Sequence, residues 1–272
     1  MKKYFALLFF LVTCIKTSKV EPTASLSNQN SLDLVSQLEI VNLDQTSKGS
    51  ISEVDPLLVI VLMVKNEALV IRETLQPFID AGLDAFLIFD TGSTDDTISV
   101  TKKFFEENHV GRAVIKQEPF VNFSVSRNRA FDLAEEAFPN ACFMLMLDAE
   151  WYTKNVKELV KFCDSHKKDT SPVYLMRIMG GNIIDYYVPR LIRCRCNARF
   201  VGSVHEGLNK VTQEKVSPET FFDWRPSSFG QEKSRARWSR DLGLLLQEFK
   251  SNPHDLRIMF YIAQTYDCLD DF

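Results

Sequence analysis

Along this chain, runs of uninterrupted apolar residues alternate with stretches in which apolar residues recur every three or four positions. LLVIVLMV, residues 57–64, is wholly apolar and rich in β-branched side chains, which predicts a strand buried on both faces. In KNEALVIRETLQPFIDAG, which follows, Ala68, Ile71, Leu75, Phe78 and Ile79 share one helical face, Gly82 supplies a stop, and Pro77 is placed to kink or shorten the helix. AFLIFD, residues 85–90, is a second buried strand, closed by TGSTDD. Ser93 or Thr94 can cap a helix running through Asn108, with Asp95 and Asp96 in its favourable first turn. A short strand near Ala113–Ile115, a helix across SVSRNRAFDLAEEAF (124–138) and a strand at CFMLML (142–147) continue the series. Strand and helix alternate, so the pattern predicts an α/β fold: a mostly parallel sheet with helices on both faces.

Further on, a helix over KNVKELVKFCDSH (154–166) precedes VYLMRIM (173–179) and DYYVPRLIRC (185–194), two strands whose stronger alternation predicts a mixed extension of the sheet. From Gln231 the period turns helical. Trp238, Leu242, Leu245, Leu246 and Phe249 line one face, SNP (251–253) breaks the helix, and DLRIMFYIAQTYDCL (255–269) forms a second. This hairpin resembles a tetratricopeptide (TPR) unit without a second copy, and the chain stops where a next helix would begin, the pattern of a truncated repeat segment. At the other end, Lys2 and Lys3 precede an apolar run from Tyr4 to Ile15, the shape of a signal peptide or signal-anchor and too short for an ordinary membrane span. LVTC offers Cys14 as an imperfect site for lipid attachment. The predicted organisation is a leader over 1–18, a disordered Ser/Thr/Asn/Gln-rich linker over 19–55, an α/β domain over 56–228 and a helical segment over 229–272.

Composition narrows the field. The 272 residues carry a net charge of -4, which gives no basic excess for nucleic acid. Six cysteines without a C-x-x-C pair and only four histidines argue against zinc-ribbon and disulfide scaffolds and for reduced, mostly buried thiols. Cys194 and Cys196, on the same face of an extended strand, are badly placed to bridge each other.

Candidate chemistry collects after the strands, where parallel sheets bind ligands. KNE follows the first strand, DTGSTDD the second, and DAE the strand at 142–147. In extended backbone Asp148 and Glu150 project from one side, two hard oxygen ligands suited to Mg²⁺ or Mn²⁺ with substrate phosphates. A helix-capping Asp148 followed by a solvated Glu150 satisfies the same spacing. Trp151 and Tyr152 suit either core packing or stacking on a sugar ring. Asp185 and Arg190 read as a surface pair on a strand edge. The loop KNEA has no glycine, against a G-x-G-x-x-G dinucleotide fold.

Five motifs in order, VKNEA (64–68), FDTGSTDDT (89–97), FSVSRNRAFDLA (123–134), MLDAEW (146–151) and RLIRCRCNARFVGSVHEGL (190–208), resemble family 2 glycosyltransferases of the GT-A fold. Their order and spacing are similar to the branch with C-terminal TPR-like helices, such as the sublancin S-glycosyltransferase. The resemblance implies an inverting transfer from a UDP- or GDP-sugar with Mn²⁺ or Mg²⁺. It places Lys65, Asn66, Glu67 and Asp90 on the donor nucleotide, Arg127 near the base or diphosphate, and Asp148 toward the sugar nucleotide. Asp148, Glu150 and His205 would hold the metal, Arg127 or Arg190 would help the leaving diphosphate, and Glu206, with Asp185 in reserve, would be the base. Glu150 departs from the family's usual aspartate by one methylene. The acceptor (glycan, lipid or protein) stays open, as does homo-oligomerisation through the helical tail. A GT-A-like binding module working through that tail and a metal-dependent nucleotidyltransferase are the alternatives. The leader implies a secretory or membrane-attached protein; cytosolic nucleotide sugars imply a cytoplasmic one.

Overall fold

The computed structural model of this chain describes residues 55–269 apart from 182, 211 and 226–229. The leader, nearly all of the stretch read as a linker, and Cys14 lie outside the described residues. The apolar runs form β1 (Leu58–Val64), β2 (Ala85–Asp90), β3 (Arg112–Gln117) and β4 (Phe143–Leu147), adjacent and parallel in the order β3-β2-β1-β4. Parallel neighbours need crossovers, and α1 (Ile71–Asp80), α2 (Thr97–Glu107) and α3 (Phe123–Ala137) provide them. β1, β2 and β4 are apolar at nearly every position because both faces are covered, whereas the edge strand β3 is polar at Arg112, Lys116 and Gln117 and mostly half-buried. Leu58, Ile60 and Leu62 of β1 pack with Leu75, Phe78 and Phe105, while Val59 and Val61 pack with Ala130, Phe131 and Ala134 of α3.

Beyond β4 the sheet becomes mixed, as the alternation in that region predicts. β7 (Ile184–Arg193) is antiparallel to β4 and to β6 (Val173–Gly180). Two strands of this sheet were not legible: β5 (Trp151–Lys154) and β10 (Phe221–Trp224), which pair antiparallel with each other, while β10 runs parallel to β6. Among the described residues the sheet order is β3-β2-β1-β4-β7-β6-β10-β5, beside a ribbon of β8 (Phe200–Val201) and β9 (Gly207–Leu208). The helix expected from residue 154 starts later, as α4 (Val156–His166), because Asn155 turns the chain at φ +55° out of β5. The helix expected from residue 65 also starts late, and Ala68 belongs to the loop before α1. Gly82 ends α1 as predicted: at φ +82° its N–H donates to the Ile79 carbonyl and that of Leu83 to the Phe78 carbonyl at 3.0 Å. Cys142, Cys163, Cys194 and Cys196 are free thiols. Cys194 and Cys196 lie in a turn after β7 rather than in an extended strand.

The helical hairpin, α5 (Gly230–Ser251) and α6 (Leu256–Leu269), folds back onto residues 202–205. Its buried contact is small, centred on Val204, Leu245 and Tyr261, so polar contacts carry much of the docking. Glu248 accepts from the Ser203 N–H at 2.9 Å and from the Ser203 hydroxyl. Arg257 Nη2 donates to the carbonyls of Val204 (2.9 Å) and His205 (2.6 Å). The inward face of α5 differs from the expected one: Leu246 is exposed, whereas Asp241 is buried. The helix packs against a polar segment, so apolar spacing alone misplaces its face.

Gly202 sits beneath this clasp at φ +102°, where a Cβ would collide with the Arg257 guanidinium. Gly202→Ala should displace Arg257 and cost roughly 1–3 kcal/mol. Trypsin should then cut the hairpin faster than in wild type, and an unchanged cleavage rate would contradict the clasp.

Candidate active site

In open α/β sheets the crevice for ligands lies where strand order reverses. Here that point falls between β1 and β4, because β2 lies on one side of β1 and β4 on the other. The loops after these two strands border a cavity of about 560 Å³, a volume typical of small-molecule sites. Lys65, Asn66 and Glu67 after β1, Arg127 from α3, and Asp148 and Glu150 after β4 line it.

The loop after β1 is laced to the loop after β2. Asn66, at φ +58° in the left-handed region that asparagine tolerates, donates its N–H to Ser93 Oγ (2.9 Å) and accepts at Oδ1 from the Thr94 N–H (2.8 Å). The Glu67 N–H donates to Thr97 Oγ1 at 2.8 Å and the Ala68 N–H to Asp95 Oδ2 at 3.2 Å. Ser93 and Thr94 therefore do not cap α2. The N-cap is Asp96, which makes no side-chain capping bond; Asp95 instead accepts from the Thr97 N–H at 3.0 Å, and although partial burial would raise its pKa, hydrogen bonds from Thr97 and Ala68 hold it low. Asp90 is fully buried and accepts from the N–H groups of Gly92 and Ser93 and from Gln117 Nε2, each at 2.9 Å. It organises the loop and is not among the cavity-lining residues.

The turn after β4 carries the central charges. Asp148 and Glu150 are not in extended backbone: the Trp151 N–H donates to the Asp148 carbonyl at 3.0 Å, closing a turn that still leaves both acids on the cavity wall. Arg127 joins two carboxylates, donating from Nη2 to Asp148 Oδ1 and from Nε to Glu206 Oε1, both at 2.6 Å. Arg190 lies 3.7 Å from Asp148 Oδ2 and 3.9 Å from Glu206 Oε1, with its guanidinium 5.0 Å from the Trp151 ring. Arg190 is thus buried in the charged cluster rather than paired with Asp185 on an edge. Burial alone would lower the Arg127 pKa and raise that of Asp148. Asp148 and Glu206 more than reverse the first, raising the Arg127 pKa, and Arg127, Arg190 and Arg237 hold the Asp148 carboxyl below its usual range. Burial and the nearby Arg127 lower the Arg190 pKa.

Two donors in this cluster, Arg127 Nη1 and Arg190 Nε, are buried without a hydrogen-bond partner. Such orphans are costly, and an anionic oxygen is the natural acceptor for them. Asp148 and Glu150 supply the hard oxygens a divalent ion takes, in a number that leaves positions for water and phosphate. The donor set therefore fits a metal and a phosphate together. His205 is elsewhere: it does not line the cavity and stacks on Tyr261, ring centroids 4.1 Å apart. Among the described residues no three His, Cys, Asp or Glu side chains are grouped as a metal site. Burial lowers the His205 pKa against the opposing pull of Glu206, with Arg257 and Arg237 adding to the fall.

Of the two candidate bases, Glu206 binds Arg127 behind the cavity wall, and Asp185 takes two 2.7 Å hydrogen bonds from Arg177. Neither lines the cavity. Strand alternation divides the two aromatics: Trp151 faces the cavity, while Tyr152 is buried with Arg225 3.7 Å from its ring. The sequence reading missed Tyr186, Trp224, Arg237 and Arg240, which also line the cavity. Trp224 and Trp151 are register partners across β10 and β5, a pairing visible only once both short strands are recognised.

Asp241, beside Arg240 on α5, is 7% exposed, and burial raises its pKa despite the hydrogen bonds from Arg240. A raised acid binds its proton more tightly folded than unfolded. Stability therefore falls as pH climbs from the unfolded value, about 3.9, through the folded one. Asp241→Asn should match or exceed wild-type melting temperature at pH 7 and lose that advantage in acid, where the aspartate is neutral. A lower melting temperature at pH 7 would show that the pairing with Arg240 outweighs burial.

Residues 59–174 match the family model described as glycosyl transferase family 2. The family 2 match spans β1 to the start of β6 and so includes both loops and Arg127, Asp148 and Glu150; Arg190, Glu206 and the hairpin lie after it. Among solved structures, the mannosyltransferase PcManGT from Pyrobaculum calidifontis, in complex with GDP-Man and Mn²⁺, is 13% identical with a TM-score of 0.46, covering 80% of this chain and 75% of that one. Glucosyl-3-phosphoglycerate synthase from Mycobacterium tuberculosis, in complex with Mn²⁺, UDP-glucose and phosphoglyceric acid, is 16% identical with a TM-score of 0.30, covering 46% of this chain and 44% of that one. No curated protein matches the sequence.

Proposed function

We propose that this protein is an inverting glycosyltransferase that moves a sugar from a UDP- or GDP-sugar to an acceptor. The observation that carries this reading is the convergence, at the switch point of a sheet matched by the family 2 model, of Asp148, Glu150 and Arg127 with Lys65, Asn66 and Glu67 around one cavity. Asp148 and Glu150 would hold Mn²⁺ or Mg²⁺, which as a Lewis acid offsets charge growing on a departing diphosphate. Arg127 lines the same cavity, and Asp148 and Glu206 fix its guanidinium in place before that charge develops. Inversion calls for a carboxylate on the face opposite the diphosphate. Of the two acids read from the sequence, Glu206 is the one joined to the cavity wall through Arg127. Trp151, Trp224 and Tyr186 give the cavity an aromatic wall, which suits the apolar face of a glycan acceptor. The hairpin behind the domain agrees with the TPR-like branch, and residues 1–18 with export or membrane attachment. Among the described residues no helix is long and apolar enough to cross a membrane.

A panel of UDP- and GDP-sugars tests this reading. At least one should be hydrolysed slowly without acceptor, faster with Mn²⁺ than with chelator. Calorimetry that detects no binding of any nucleotide sugar would sink it.

A further inference from the structure

The hairpin reaches the cavity as well as the segment it clasps. Ala236, Arg237 and Arg240 of α5 line the same cavity as Arg127 and Asp148. The other arginines of this wall are occupied. Arg240 donates to Asp241 at 3.0 and 3.2 Å and lies 5.1 and 5.5 Å from the rings of Phe120 and Phe123. Arg127 is held by Asp148 and Glu206. Arg237 makes no hydrogen bond or ion pair with the described residues. It nevertheless bears electrostatically on Asp148, His205 and Asp241, so its charge is felt across the site.

Arg237 and Arg127 line this cavity from α5 and α3, so that cationic groups on two elements make it a receptor for an anion. The clasp through Glu248 and Arg257 fixes α5 there. We infer that α5 is a wall of the donor site and that Arg237 binds the diphosphate of the nucleotide sugar together with Arg127. The inference rests on the donor reading above and changes the part played by the hairpin: it completes the active site of its own chain instead of serving as a separate binding module.

The test is made on the full chain with Mn²⁺, using calorimetry for UDP and GDP and ligand-observed NMR for uridine and guanosine. Arg237→Ala should weaken the diphosphate that wild type binds by about ten-fold, leave nucleoside binding and the melting temperature unchanged, and be partly rescued in Arg237→Lys. Wild-type affinity for the diphosphate in Arg237→Ala would overturn the inference while leaving the donor reading intact. An equal loss for nucleoside and diphosphate would also overturn it, because the defect would then not lie at the phosphates. Absence of UDP and GDP binding by wild type would overturn both.

Discussion

Arg127→Met should destabilise this protein by about 3–5 kcal/mol, the cost of stripping buried charges of their partner. Arg127 has 4% of its side chain exposed, Glu206 8% and Asp148 32%. Methionine fills much the same volume, so the loss comes from charge and hydrogen bonding rather than from a cavity. Both 2.6 Å hydrogen bonds vanish, and Arg190, at 3.7 and 3.9 Å, is left to face two carboxylates alone. Against a typical total of about 5–15 kcal/mol, a loss of this size is a large share of the stability. Urea unfolding followed by tryptophan fluorescence reads it as a lower midpoint at constant slope. Adding Glu206→Gln removes one stranded charge and should recover part of the loss, so the two changes should not be additive. A loss below about 1 kcal/mol in Arg127→Met would mean that the carboxylates reach solvent unaided, and the cluster would not be a closed one.

What the sequence revealed of this site follows from where its residues sit relative to fully buried strands. β1, β2 and β4 are apolar at nearly every position, so their ends are marked sharply by the first polar residues, and Lys65, Asp90 and Asp148 are found without any structure. Local signals were weaker guides when long-range hydrogen bonds competed. Ser93 and Thr94 look like caps, yet the Ser93 hydroxyl accepts from the Asn66 N–H and the Thr94 N–H donates to Asn66 Oδ1, both between two loops. Asp148 and Glu150 were expected side by side on a straight strand and instead share a turn, a difference that preserves the outcome because both still meet the cavity. β5 and β10, four residues each, are too short for periodicity to register. Arg190 lies mid-strand, where an arginine reads as a solvated edge residue until the sheet order shows β7 beside β4. Arg237 is harder still. An arginine on an amphipathic helix has the same spacing whether it meets water or a ligand, and only the docking of α5 distinguishes the two.

Asp148→Asn should separate chemistry from stability. Asparagine keeps an oxygen where Arg127 Nη2 donates, and its volume is nearly the same, so the fold should suffer less than in Arg127→Met. The remaining carboxylate, Glu206, still faces both arginines. What disappears is the negative charge that Arg127, Arg190 and Arg237 keep ionised in wild type. If that charge holds a divalent ion on the donor diphosphate, the variant loses a preorganised electrostatic contribution. Mn²⁺-stimulated donor turnover should then fall by at least about 100-fold, with a higher Mn²⁺ concentration needed for half-maximal rate. Glu150→Asp is the informative companion. It keeps the charge and shortens the reach by one methylene, so activity should persist while the preference between Mn²⁺ and Mg²⁺ shifts, the smaller ion being less tolerant of distorted geometry. Full turnover in Asp148→Asn would remove the acid from the chemistry and leave it only the task of holding Arg127 in place. The two roles are therefore told apart by whether rate and urea midpoint fall together or separately.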